Sequence, residues 1–322
     1  MPAEPYLFQL TTRLADGLAH LPENVRSRHT AYLLSVQNSD GGFSGREGGS
    51  DLYYTGFALR GLAVLDALTP EVCGRVAEFL RKSLTQQASV VDFFSLLYAS
   101  FLVQLAGEDV LARSPADWPD RVASTLETFR TRDGGYAKAA GGTGGSVYHT
   151  FLVGLCYQLL GRPLPRMDEV AGFIGSRRRE DGGYVEIAPM RRSGTNPTAA
   201  AVGILQMVEA EGGPPLGGEA RDNTVKFLVD MASPEGGLRG NGRAPVADLL
   251  STFTGIWTLH QLGAMDRLDG AAALHYAQAL EMPAGGFRGG LWDERTDVEY
   301  TFYGLGCLAL LAPAPRSPAG PG

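Results

Sequence analysis

The sequence predicts an all-α fold, an (α/α)6 toroid in which about six helical hairpins form a double ring around a central apolar cavity. Three observations predict it: a repeated glycine pair, a half-polar helix before each pair and a more apolar helix after it. With 322 residues, of which 44% are hydrophobic, the chain can bury a large core. No interior stretch has the composition of a linker, so we expect one domain over residues 1–311 and a Pro/Gly-rich tail over residues 312–322.

A glycine pair with similar neighbours recurs along the chain. Its first glycine stands at positions 41, 134, 182, 236 and 285, so the successive gaps are 93, 48, 54 and 49 residues. The first gap is nearly two periods, which predicts a further copy without glycines near residue 87, in the segment SLTQQASVVDFFSLLYASFL. Because glycine suits sharp turns with positive φ, each pair predicts a tight loop between two helices.

The segments after the loops are almost free of charge and predict an inner ring, since a helix that is apolar all round needs neighbours on every side. The predicted inner helices are 53–65, 93–105, 147–160, 199–208, 249–262 and 298–310. The segments before the loops carry charge on one side and predict a half-exposed outer ring. Examples are 72–84, 122–130, 170–178, 225–231 and 271–280, and six hairpins give twelve ring helices in all. A linear solenoid is the alternative, but the last segment is apolar and offers no polar cap.

The composition excludes several classes of function. A net charge of -7 with no Lys/Arg-dense face argues against nucleic acid and anionic membranes as partners, and leaves a cationic partner open. No run approaches the roughly 18 apolar residues of a transmembrane helix, and MPAEPYLFQL lacks the features of a signal peptide, so we expect a cytoplasmic protein. Cys73, Cys156 and Cys307 are too scattered for a disulfide framework and are expected to be buried thiols.

QNSDGGF at residues 37–43, with its degenerate copies, resembles the repeat shared by protein prenyltransferase β subunits and squalene-type triterpene cyclases. The resemblance covers about residues 24–312. The length favours a β subunit, because the cyclases are longer and carry a second domain of this kind. The resemblance implies a cavity that holds farnesyl or geranylgeranyl diphosphate, with chemistry at its mouth. A helical α-type subunit is a further partner that it implies.

The start of each predicted inner helix supplies the candidate catalytic residues. Aligning the copies gives the pairs Tyr54-Thr55, Phe94-Ser95, His149-Thr150, Pro197-Thr198, Ser251-Thr252 and Tyr300-Thr301. Three residues before the first member of a pair stand the carboxylates Asp51, Asp248 and Asp297. Helix N-capping explains any one of them, whereas three at one rim predict an acidic mouth that binds a metal ion or deprotonates an amine. Asp248 or Asp297 is the expected base, with Tyr300 positioning the acceptor or the diphosphate.

His149 is the one histidine at the mouth of a predicted inner helix. A base or a diphosphate contact is one interpretation, and a structural hydrogen bond at the helix end is the other.

The resemblance also implies a zinc site, made in the family by an Asp, a Cys two residues on and a His at the sixth inner helix. The matching positions here are Asp248, Leu250 and Tyr300. Leucine and a phenol cannot complete a tight zinc site, so we expect no zinc, with Asp248 alone left for a degenerate site. Mg²⁺ could still accompany a diphosphate. Without zinc a cysteine acceptor is not activated, which favours a non-thiol acceptor.

Several arginines are candidates for binding the diphosphate. GGLRGNGR at residues 236–243 resembles the family's loop before the fifth inner helix. There Arg243, with Arg239 as a second candidate, matches the arginine that grips the diphosphate. The family's histidine at the start of the fourth inner helix falls near Gly194 or Thr195 here, and Arg191 and Arg192, just before them, could replace it or form a solvated surface pair. Guanidinium groups suit this task because they make bidentate, charge-assisted hydrogen bonds.

Aromatic residues on the predicted inner helices are expected to line the isoprenoid cavity, where their faces could shield an allylic cation. They are Tyr54, Phe94, Tyr148, Phe253, Trp257 and Tyr303.

We therefore expect a transferase that alkylates a non-thiol acceptor, such as a polyamine or a lysine-bearing peptide, with an isoprenoid diphosphate. The first alternative is a non-catalytic toroid that binds a lipid or a partner protein. The second is a terpene cyclase, for which VADLLS contains only Asp248 in place of an Asp-rich acid motif.

Overall fold

A computed structural model describes residues 4–84 and 88–312. These residues form thirteen α-helices and one two-stranded sheet. The first helix, α1 (Tyr6–Ala19), precedes the repeated hairpins. The outer helices are α2 (Glu23–Ser35), α4 (Pro70–Lys82), α6 (Trp118–Glu127), α8 (Met167–Arg177), α10 (Gly218–Asp230) and α12 (Gly270–Ala279). The inner helices are α3 (Leu52–Val64), α5 (Val90–Leu105), α7 (Val147–Leu159), α9 (Thr195–Ala210), α11 (Leu249–Gln261) and α13 (Val298–Leu311).

The inner helices form a closed ring. Each packs against the next in chain order, and α13 packs back against α3. The outer helices α4, α8 and α12 pack against the inner helices that follow them. The predicted toroid and its twelve ring helices are therefore confirmed.

A repeated hydrogen bond joins each glycine loop to the inner helix that follows it. The backbone N–H of the residue after the glycine pair donates to a threonine Oγ1 one turn into that helix, as Tyr184 does to Thr198 at 2.9 Å. The same bond recurs at Thr55, Thr150, Thr252 and Thr301. The first glycine of each pair has positive φ, and at Gly182 a Cβ would lie 2.3 Å from the Asn223 carbonyl oxygen. This turn therefore requires glycine at the first position of the pair.

Helix α1 crosses the end of the ring opposite the glycine loops. The Tyr6 N–H donates to Gln158 of α7 at 3.0 Å, and Thr11 is hydrogen-bonded to Tyr98 of α5 at 2.8 Å. At Gly17 a Cβ would lie 2.1 Å from the Ala309 carbonyl oxygen, so α1 and α13 pack in backbone contact. This thirteenth helix lies outside the repeat and was not predicted.

Other expectations concern smaller features. The only sheet in the described residues pairs β1 (Phe287–Arg288) with β2 (Thr296–Asp297), inside the last glycine loop. The three cysteines are buried and free. Within the described ranges, no helix combines the length and apolar character needed to cross a membrane. The predicted tail beyond residue 312, and residues 85–87 of the copy without glycines, lie outside the described residues.

Candidate active site

A cavity of about 510 Å³ occupies the centre of the inner ring. All six inner helices contribute to its wall, and α1 forms its floor through Tyr6, Leu7 and Leu10. It reaches the surface at the glycine-loop end, where Tyr148 lines the cavity and is 38% exposed. Its size suits a ligand of ordinary small-molecule dimensions, and its wall is mainly apolar.

Helix periodicity decides which residues face this cavity. The threonine of each repeat points to its glycine loop, so residues two positions before or after it, about 200° away, point to the opposite side. From Thr55 these steps give Tyr53 and Phe57, and from Thr301 they give Glu299 and Tyr303, all of which line the cavity.

The predicted aromatic wall is largely present. Phe94, Tyr148, Phe253, Trp257 and Tyr303 line the cavity. Tyr54 does not, because it precedes the loop-facing threonine by one position, and its neighbour Tyr53 takes the inward place.

Glu299 is a half-buried acid near the mouth of the cavity. Its Oε1 accepts hydrogen bonds from the Tyr53 hydroxyl at 2.7 Å and the Tyr303 hydroxyl at 3.1 Å. Burial raises the pKa of its carboxyl, and the nearby Asp297 carboxylate adds to this. A hydrogen-bonded carboxyl with a raised pKa is a candidate general acid or base.

Glu299 was not among the sequence candidates. Its position, two residues before the repeated threonine, was visible in the sequence. This position indicates a side chain facing the cavity only when the direction of the threonine side chain is known.

Arg60 brings a positive charge into the cavity. Its guanidinium carbon lies 4.1 Å from the centre of the Phe57 ring, and its Nε donates to the Gly56 carbonyl oxygen at 3.1 Å. Among the described lining residues it is the only cation, beside the two carboxylates Glu186 and Glu299. Arg60 was not among the sequence candidates either.

The three aspartates predicted for the rim cap their own helices. Each accepts a backbone N–H three residues on through its Oδ1, at 2.8 Å for Asp51, 2.7 Å for Asp248 and 2.8 Å for Asp297. None of the three lines the cavity. The structure therefore assigns this repeat position to N-capping and does not bring these carboxylates together as an acidic mouth.

Arg46 holds Asp297 from outside the cavity. Its Nε donates to Asp297 at 2.8 Å, while its terminal nitrogens bind Asp293 at 3.0 and 2.6 Å. Burial raises the pKa of Asp297, although Arg46 favours the charged form. The Arg46 guanidinium also lies over Tyr300, 5.4 Å from its ring centre, and Tyr300 does not line the cavity.

His149 also stands beside the cavity without lining it. Its Nδ1 is buried and has no hydrogen-bond partner in the described chain. Burial lowers the pKa of the imidazole, and the Lys138 charge lowers it further. The neutral ring is therefore favoured at physiological pH.

The four candidate arginines fall into two groups. Arg239 donates to the carbonyl oxygens of Asp230 at 2.9 Å and Met231 at 3.3 Å, which pins it to the end of α10, and Arg243 is exposed in its loop. Arg191 and Arg192 instead line an open groove at the glycine-loop end. Glu186 lines both this groove and the cavity, so the two spaces adjoin.

A family model described as the prenyltransferase alpha-alpha toroid domain matches residues 12–81 and 74–317. The chain belongs to this family. No curated protein sequence matches it significantly.

Solved structures of several activities share the toroid. Protein geranylgeranyltransferase-I of Candida albicans complexed with GGPP superposes with a TM-score of 0.71 at 14% identity, covering 89% of this chain and 91% of that chain. A type II terpene cyclase from Scytonema, MstE with the R337A substitution, in complex with geranylgeranyl dihydroxybenzoate, gives 0.62 at 12% identity, covering 94% and 99%. The α-1,6-mannanase GH76A of Salegentibacter sp. gives 0.64 at 13% identity, covering 90% and 98%. At such identities the likeness establishes the fold alone.

The residues of this toroid do not fit the zinc site that the resemblance implies. Asp248 is a helix cap, Leu250 faces the cavity and Tyr300 packs under Arg46. Within residues 4–84 and 88–312, no group of three or more His, Cys, Asp or Glu side chains is placed to hold a metal ion. A zinc site needs about four such ligands, and these three positions cannot supply them.

Proposed function

We propose that this chain is a prenyltransferase that takes a farnesyl or geranylgeranyl diphosphate and alkylates a non-thiol acceptor, an amine or a cationic peptide. The observation that carries the proposal is the aromatic cavity with the hydrogen-bonded carboxyl of Glu299 near its mouth. Membership of the prenyltransferase toroid family supports it, as does the similar fold of a geranylgeranyltransferase that binds GGPP.

The donor would lie with its hydrocarbon chain in the cavity and its diphosphate at the mouth. Aromatic faces such as those of Phe57, Phe253 and Tyr303 attract cations, so they would stabilise the allylic cation as it forms. Arg191 and Arg192, in the adjoining groove, would receive the diphosphate through charge-assisted hydrogen bonds.

In the transfer step, the bond between C1 of the donor and its diphosphate oxygen breaks, and the diphosphate leaves with the electron pair. The acceptor nitrogen forms a new bond to C1. Its proton passes to the Glu299 carboxylate, which Tyr53 and Tyr303 hold in place. Glu299 must be ionised for this role.

A terpene cyclase is the second candidate, favoured by the raised pKa of Glu299. The protonated carboxyl would add its proton to a terminal alkene carbon of a polyene, and the final carbocation would lose a proton to a base. The product would be an isomer of the substrate. Glu299 must be protonated for this role, so the two candidates require opposite states of one side chain.

The deciding experiment incubates the protein with geranylgeranyl diphosphate and a mixture of amines and lysine-bearing peptides. Transfer releases inorganic diphosphate and adds one geranylgeranyl group to an acceptor, which mass spectrometry detects. Glu299→Gln should suppress transfer by roughly 10²–10⁴-fold, the usual contribution of a general base. Glu78→Gln, an exposed change on outer helix α4, is the matched control.

A product with the mass of the substrate would instead support the cyclase. Binding without any turnover would support the non-catalytic toroid.

The pH dependence of the rate provides an independent test. If Glu299 is the base, the rate rises with pH as its carboxyl ionises, through a pKa that burial has raised above the ordinary value of about 4.3. If Glu299 is the acid of a cyclase, the rate falls over the same range. We expect the rise, and we expect Glu299→Gln to remove this pH dependence from the residual activity.

A further inference from the structure

Arg60 places a charged group in the part of the cavity where a hydrocarbon chain would lie. It stands five residues after Thr55, whereas Glu299 stands two residues before Thr301, the equivalent threonine. The Cα of Arg60 is therefore seven residues deeper along its helix, which corresponds to roughly 10 Å. Its side chain returns toward the mouth, since its Nε donates to the Gly56 carbonyl oxygen at 3.1 Å.

The Arg60 guanidinium makes no ion pair among the described residues, although its charge lowers the pKa of the nearby Glu299 carboxyl. Neither Glu186 nor Glu299 has a carboxylate oxygen within 4.0 Å of an Arg60 nitrogen, the distance of an ion pair. Its two terminal nitrogens make no hydrogen bond to any described residue. Four aromatic rings surround it, at 4.1, 5.4, 5.5 and 5.7 Å from their centres: Phe57, Phe94, Tyr98 and Phe302.

The carboxylates of the cavity already have other donors. Glu299 accepts from Tyr53 and Tyr303, and Glu186 accepts from the Ser146 hydroxyl and, at 3.1 Å, from the Tyr148 N–H. Aromatic faces compensate a cation only in part, and a half-buried cation on an apolar cavity wall favours an anion that fills its free N–H groups. A purely hydrocarbon ligand would fill the space around Arg60 and leave these groups unpaired.

We propose that Arg60 forms an anion-binding subsite inside the cavity and receives the acidic group of an amphiphilic lipid. The planar guanidinium offers two parallel N–H donors, which match the oxygens of a carboxylate or a phosphate. The rest of the ligand lies on the apolar floor and wall, formed in part by Leu7, Leu10, Leu152 and Leu155. The ligand therefore has its acidic group within the cavity and its hydrocarbon beside it.

This subsite concerns binding, and it holds whether Glu299 acts as a base or as an acid. Its test is therefore an equilibrium measurement that needs no turnover. A failed transfer assay leaves the subsite standing, and a failed binding test leaves the transfer proposal standing.

The test measures binding of farnesoic acid, farnesyl phosphate and farnesol by isothermal titration calorimetry. The three probes share one hydrocarbon chain and differ in the head group. Wild-type protein should bind the acid or the phosphate roughly 10–100-fold more tightly than the alcohol, the range of charge-assisted hydrogen bonds. Whichever anion shows the larger preference identifies the source of the acidic group.

Arg60→Met should abolish the preference for the anion over the alcohol, and its circular dichroism and thermal unfolding, compared with those of wild-type protein, show whether the variant is folded. Arg60→Lys should keep a part of the preference, because lysine retains the positive charge but lacks the two parallel N–H donors of the guanidinium. Arg267→Met, an exposed change outside the cavity, is the matched control. If Arg60→Met does not fold, Arg60→Gln takes its place with the same outcomes. An equal affinity of wild-type protein for acid, phosphate and alcohol, or a preference that survives loss of the arginine, would overturn the proposal.

Discussion

Two carboxylates at the N-terminal end of α13, the cap residue Asp297 and Glu299 in the first turn, have different roles. Asp297 accepts the Tyr300 N–H and pairs with Arg46, whereas Glu299, two residues on, faces the cavity and binds Tyr53 and Tyr303. A step of two residues turns a helix by about 200°, which separates the cap from the cavity. Both side chains carry a carboxylate, so the difference between their roles comes from their positions.

The capping role leads to a prediction for Asp248. Asp248→Ala should lower the free energy of unfolding by about 1 kcal/mol, because the Ser251 N–H loses its acceptor, while Asp248→Asn should cost less since asparagine also caps well. Urea unfolding measures both. Transfer should stay at the wild-type rate in Asp248→Asn, and a folded Asp248→Asn protein without turnover would show that the carboxylate does more than cap.

The sequence located the aromatic wall better than it located the acid. Phe94, Phe253 and Trp257 were identified because large aromatic side chains on a buried inner helix face either the core or the cavity. Glu299 was missed because the repeat alignment drew attention to the position that three aspartates share. That regularity reflects the common need of helix starts for a cap.

At the scale of the hairpin, the threonine that anchors each glycine loop determines the orientation of its helix. Thr198 accepts the Tyr184 N–H at 2.9 Å and donates to the Gly194 carbonyl oxygen at 2.7 Å, and both bonds are buried. With the threonine fixed toward the loop, the opposite face of the helix must look inward. The loop anchor therefore decides which residues line the cavity.

We predict that Thr198→Val lowers the free energy of unfolding by about 1–3 kcal/mol, the cost of a buried donor left without its acceptor. Valine keeps the shape of threonine, so the loss reports the hydrogen bonds. Thr125→Val on outer helix α6, where the hydroxyl donates only to its own helix, is the control and should cost much less. Equal losses in the two variants, measured by urea unfolding, would contradict the anchoring role.

The hairpins could be predicted because glycine with positive φ leaves a visible mark in the sequence, as at Gly41 and Gly236. Helix α5 was found from its spacing and its apolar character in spite of its missing glycines. Helix α1 was missed because it occurs once, outside the period, and a single amphipathic helix carries no sign of where it packs.

At the scale of the whole molecule, α1 closes one end of the inner ring. The ring has two ends, and the glycine loops occupy the end where the cavity reaches the surface. At the other end Tyr6 lies against Phe151 and Trp257, with ring centres 5.1 and 6.2 Å away. Its hydroxyl accepts a hydrogen bond from the Trp257 Nε1 at 2.8 Å. The position of this floor, outside the repeat, limits the depth of the cavity.

The floor predicts how the length of the isoprenoid chain is selected. If the hydrocarbon end rests on Tyr6, then Tyr6→Ala should extend the cavity and raise kcat/KM for geranylgeranyl diphosphate relative to farnesyl diphosphate, by roughly tenfold if about two added methylene groups find room. Tyr6→Phe is the matched control, because it removes only the hydroxyl that binds Trp257 and leaves the ring in place. It should keep the wild-type ratio. Loss of the large side chain will also lower stability, so both variants are compared below their unfolding transitions. An unchanged ratio in folded Tyr6→Ala protein would mean that the chain ends above the floor, and that depth is set by the inner helices alone.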